Sequence, residues 1–146
     1  MSWKNLHSQG KVDPHTTSKA ELDDLRAAIE RNLADASIPK LSADNRFGIA
    51  YQAALLSAKM AIACAGYRVK GQGAHQTTFE ALKLALGNSV IPAATYLNRC
   101  RRMRNEMTYD SEGVVSRADA EELLKKAKSL HKIVENWIAK HHPAVA

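Results

Sequence analysis

A chain of 146 residues that is 45% apolar but only 5% aromatic has room for one hydrophobic core, and its richness in Ala and Leu favours helices over sheets. The formal charge of +6 leaves a polyanionic partner open without requiring one, and residues 41–90 supply half of the excess, five basic against two acidic side chains. No unbroken apolar run of about 18 residues and no apolar leader is present, so neither a membrane-spanning helix nor a signal peptide is expected, and a cytoplasmic location is the expectation that follows.

In chain order, residues 1–16 are polar, carry Gly10 and Pro14, and read as a flexible N-terminal arm that Trp3 could dock. A helix is predicted from Ser18, where Ser18-Lys-Ala-Glu21 fits a capping box, and it ends before Pro39. The second runs over 42–65, with Phe47, Ala50, Tyr51, Ala54, Leu55, Ala58 and Ile62 recurring every three or four residues, and Gly66 stops it. After a loop over 67–75, a shorter helix spans 76–86 with Phe79, Leu82 and Leu86 inward. The fourth starts near Pro92 and ends at the turn Asp110-Ser-Glu-Gly113. The last begins at Ser116, with Leu123, Leu124, Ala127, Leu130, Val134, Trp137 and Ile138 as its apolar stripe, and ends at His141-His-Pro143. Five helices on short connections predict an all-α fold, an antiparallel four- to five-helix bundle filling 17–146 as one domain. Cys64 and Cys100 sit inside helical patterns and read as reduced thiols; no paired ligand spacing is present, so no metal or cofactor is expected.

The fourth helix holds the chemistry. Arg99, Arg101, Arg102 and Arg104 fall within six positions, and Arg101 and Arg104 continue the apolar line of Ala94 and Leu97, so both point partly inward. A buried guanidinium needs a partner; Glu106, Asp110 and a phosphate are the candidates. His75 is a second candidate, since it opens a helix after a Gly-rich loop and helix N-termini favour anions.

The segment Arg104-Asn-Glu-Met-Thr-Tyr-Asp110 resembles the signature of HEPN domains, short helical bundles whose motif is Arg, a polar residue and, four to six residues on, a His. Arg104 and Asn105 match, and Tyr109 stands where the His would be. The helix with Ala50-Tyr-Gln-Ala-Ala54, the loop from Gly66-Tyr-Arg68 to His75, the Phe79-Glu-Ala-Leu82 helix and the arginine-rich helix are similar to the SAV-type HEPN subgroup over roughly 42–140. The resemblance implies a phosphate- or RNA-contacting set of Arg68, Arg101, Arg104, Asn105 and Tyr109 in a homodimer. A tyrosine, with a reference pKa of about 10, is a poor base at neutral pH. The expected function is therefore a non-catalytic module binding RNA, a nucleotide or a partner protein. One alternative is a metal-independent ribonuclease of a toxin–antitoxin or defence system, with Arg104 and either Tyr109 or His75 catalytic. The partner implied is then a cognate antitoxin or a nucleotidyltransferase-type protein. A purely structural interaction bundle, with the arginines paired internally, is the other alternative.

Overall fold

The computed structural model describes residues 1–109 and 114–146, apart from the side chains of Thr108 and Tyr109. Among them are α1 (Trp3–Ser8), β1 (Val12–Pro14), α2 (Lys19–Ala36), α3 (Ala43–Cys64), β2 (Tyr67–Val69), α4 (Ala74–Leu86), α5 (Ile91–Tyr109) and α6 (Arg117–His141). The chain is mostly helical, in keeping with the all-α expectation. Serine hydroxyls start the long helices. Ser18 accepts from the Glu21 N–H, Ser42 from that of Asn45 and Ser116 from that of Asp119, which satisfies backbone donors that the helix leaves open. The Ser116–Asp119 capping box is complete. At Ser18 it is not, because the Glu21 carboxylate instead takes hydrogen bonds from His15 Nε2 at 2.8 Å and Thr17 Oγ1 at 2.8 Å.

Helix α3 is the centre of the fold. It packs against α2, α4 and α6, and buries Phe47, Ala50, Tyr51, Ala53, Ala54, Leu55, Ala58, Met60 and Ala61. Its alanines let the neighbouring backbones come close, and few of its residues face outward. By length and composition α3 qualifies as a membrane span, with a mean hydropathy of 1.4, but 67% of that window is buried inside the fold. The polar residues Gln52, Ser57 and Lys59 interrupt the apolar run, so the expectation of no such helix fails on the average while holding on the unbroken run. A core helix passes the same test.

Ion pairs fix the helices around α3. Arg26 of α2 reaches Glu135 of α6 at 2.9 Å, and also donates to the Val145 carbonyl. Arg46, nearly fully buried on α3, donates from Nε to the Ala36 carbonyl at 2.9 Å. Helix α2 has no basic residue in its last turn, so this neighbouring guanidinium supplies the positive charge that a helix C-terminus favours.

Residues 1–16, expected as a flexible arm, are instead folded onto the domain. Strand β1 pairs antiparallel with β2, Val12 opposite Val69 and Pro14 opposite Tyr67. Trp3 stacks on Tyr67 with ring centroids 4.4 Å apart. Leu6, Val12, Ile62 and Ala81 form a small second core. The anchoring residues are single apolar side chains in a polar stretch, and a strand of three residues carries too little alternation to stand out. The expected loop 67–75 likewise opens as β2.

Truncating the anchor tests this placement. Leu6→Ala should lower unfolding stability by about 2–4 kcal/mol, the usual cost of deleting a fully buried leucine. Urea denaturation monitored by circular dichroism measures it. An arm detached from the domain would give a change within roughly 0.5 kcal/mol, as surface substitutions do.

Candidate functional site

Three local features of the chain build one recess. Gly73, at φ +69°, turns the backbone into the first residue of α4. Glycine takes this left-handed geometry without steric cost. His75 follows in the first turn, where backbone N–H groups lack helical acceptors. Opposite, Ala94, Leu97 and Cys100 bury the inner face of α5; this rotation carries Arg101 and Arg104, half-buried, toward the start of α4. His75, Gln76, Arg101, Arg104 and Asn105 line the resulting open recess of about 300 Å³.

Beneath it lies Tyr51. Its ring is fully buried on α3 and meets Phe79 edge-on at 5.9 Å. Its hydroxyl shares a hydrogen bond with His75 Nδ1 at 3.0 Å. The Arg104 guanidinium carbon lies over the same ring, 5.2 Å from its centre, close enough for a cation–π contact. Arg101 donates from Nε to Asn98 Oδ1 at 2.8 Å, and among the described residues no carboxylate bridges it.

The electrostatics follow from burial and from the cations. Burial pushes the Tyr51 hydroxyl up to about 12, against the opposing pull of Arg104 and Arg101, so the phenol stays protonated. Burial also holds His75 below its ordinary value, and the positive charges of Arg104, Lys59 and Arg101 add to the effect. The imidazole is therefore neutral at neutral pH. A phenol both donates and accepts, so it can support either tautomer of a neutral histidine. If Nδ1–H donates to Tyr51 Oη, Nε2 offers a lone pair; if Oη–H donates to Nδ1, Nε2 offers a proton. Either way the ring is oriented by a second residue, as acid–base histidines require.

The expected residues divide. Arg101, Arg104, Asn105 and His75 come together. Arg68 does not join them: it lies on β2 opposite Asp13 and lines a separate groove between α2, α3 and β2. The register of a strand that the sequence reading took for a loop decides this. Arg99 lies over the Tyr96 ring, 5.3 Å from its centre, and Arg102 is exposed. The Tyr109 side chain and Asp110 lie outside the described residues. Tyr51 and Lys59 were missed as site residues. Tyr51 sits on the α3 stripe and reads as core; the only signal was its hydroxyl, which needs a partner when buried.

Two outcomes follow for His75, each read by NMR titration of its ring. Its pKa should lie below the histidine reference of about 6.5 and rise in Arg104→Ala, which removes a positive charge that opposes protonation. The sign for stability is that of a depressed base. The contribution is intact above the unfolded value near 6.5 and is lost as pH falls below it toward the folded value. A pKa at or above the reference, unmoved by Arg104→Ala, would contradict the electrostatic description.

Compared with known proteins, the chain matches no family model, no curated protein and no solved structure.

Proposed function

We propose that this chain is a HEPN-type antiparallel bundle that binds RNA, with a backbone phosphate held in the recess of His75, Arg101, Arg104 and Asn105. The observation that carries the reading is the convergence of two half-buried arginines of α5 on the first turn of α4. Arginine forks match phosphate oxygens bidentately, and the open N–H groups of a helix start add partial positive charge directed the same way. Asn105 supplies an amide that can orient the phosphate. Among the described residues Arg101 takes an amide oxygen in place of a carboxylate, which argues against Arg101 serving only as an internal ion-pair partner. Two copies of the chain, each presenting such a recess, would form the homodimer that the HEPN resemblance implies.

A second reading, a metal-independent ribonuclease, is favoured by one observation, the Tyr51–His75 hydrogen bond. In that reading His75 takes the place of the motif histidine. Its Nε2 would withdraw the proton of a ribose 2′-hydroxyl as that oxygen bonds to the adjacent phosphorus and the P–O5′ bond breaks, leaving a 2′,3′-cyclic phosphate and a 5′-oxygen that takes a proton from water, while Arg104 and Arg101 balance the charge gathering on the phosphoryl oxygens. A toxin–antitoxin or defence role, with a cognate antitoxin or a nucleotidyltransferase-type protein as partner, would accompany that activity.

Fluorescence-anisotropy titration with a short single-stranded RNA tests both. Arg104→Ala should weaken binding by about 1.5–3 kcal/mol, roughly ten- to a hundred-and-fifty-fold, the range for a lost charged hydrogen bond. Circular dichroism should show the helices retained. Undiminished binding would remove the recess from the account. Incubation of the same RNA separates the two readings: cleavage in the presence of a chelator, abolished by His75→Ala, establishes the nuclease, and intact RNA under stable binding establishes the binding module.

A further inference from the structure

A second concavity, of about 410 Å³, is the separate groove between α2, α3 and β2. That volume lies in the range of small-ligand pockets, about 300–1,000 Å³. Leu25, Ile62 and Val69 make an apolar surface in it, and Tyr67 lines it beside them. Tyr67 is held there by its parallel stack on Trp3, interplanar angle 3°.

The charges at the groove are of opposite sign on different walls. Glu21 is already occupied by His15 and Thr17. Asp24 of α2 and Lys59 of α3 have no hydrogen-bond or ion-pair partner among the described residues, and both are exposed. Lys59 is also one of the three cations whose charge acts on His75. Along α3 it stands eight residues, about two helical turns, from Tyr51, the residue that holds His75 at the recess. A ligand suited to this arrangement has a flat apolar body, hydrogen-bond donors at one edge and an anion at the other. A nucleotide has that form. Bases stack on aromatic rings, and the amino groups of adenine, cytosine and guanine donate to carboxylates, as in base readout by Asp and Glu.

We infer that the groove seats a base of the bound RNA, its amino edge on the Asp24 carboxylate and its phosphate on Lys59, with the strand continuing to the His75–Arg104 recess. The inference rests on the RNA-binding reading of that recess and names what lies beside it. Uracil, which lacks the amino group, is the disfavoured base.

Calorimetric titration of the full chain with AMP, UMP, adenosine and inorganic phosphate tests it. AMP should bind more tightly than UMP. Asp24→Ala, an exposed helical substitution that leaves the core untouched, should weaken AMP roughly tenfold, as for one charged hydrogen bond, and level the two nucleotides. Leu25→Trp, which fills the groove, should abolish adenosine binding and spare that of phosphate. Lys59→Ala should weaken AMP and leave adenosine unchanged. AMP affinity unaltered by both Asp24→Ala and Leu25→Trp would overturn the inference. The two sites fail separately. AMP weakened by Asp24→Ala, with binding of a short single-stranded RNA unmoved by Arg104→Ala, upholds the groove and removes the recess reading; AMP unmoved by Asp24→Ala, with RNA binding weakened by Arg104→Ala, removes the groove alone.

Discussion

The burial of α3 on nearly every side is the constraint from which the rest of the molecule follows. A helix that is apolar around most of its circumference must be covered around most of its circumference. Helices α2, α6 and α4 do this, and its alanines make close approach the stable choice. Covering α3 also buries Tyr51, whose ring fits the core while its hydroxyl does not. A buried phenol left without a partner would cost about 1–3 kcal/mol. His75 resolves that demand, and in doing so is fixed at the start of α4, facing the arginines of α5. The packing of the core and the geometry of the recess are thus joined at one hydrogen bond.

That junction explains why the recess is cationic without being closed. The apolar line of α5 ends in arginines, so the helix is buried at its first half and opens toward its second. Arg104 lies over the Tyr51 ring, which gives its guanidinium an apolar surface to rest on at the lining of the recess. An imidazole kept neutral among such cations neither repels them nor needs a counter-ion. A phosphate arriving there would reverse the balance, since a negative charge beside His75 favours its protonated form.

Much of this was legible in the residues. Ser18, Ser42, Ser116 and Gly66 mark helix ends by chemistry that needs no tertiary context, and the apolar stripes of the second and last helices announced the core. Arg101 and Arg104 were legible as inward-leaning because they continue the line of Ala94 and Leu97. What was not legible depended on long-range pairing. Nothing local shows that Val12 will lie opposite Val69, so both the fold of residues 1–16 and the position of Arg68 were lost together. Tyr51 was hidden for a different reason: a core tyrosine and a site tyrosine occupy the same helical phase, and only the residue across from the hydroxyl tells them apart. His75 was singled out from its helix-start position alone, and its partner came from a helix two elements away.

The central claim is that an RNA phosphate sits where α5 meets the start of α4. Mapping the contact by NMR on ¹⁵N-labelled protein, with a short single-stranded RNA added stepwise, addresses it most directly. The account predicts that the largest shifts fall on the backbone amides of Gly73, Ala74, His75 and Gln76 and on the side-chain Nε signals of Arg101 and Arg104. Shifts confined instead to the exposed lysines of α6, Lys125, Lys126 and Lys128, with the start of α4 unmoved, would contradict it.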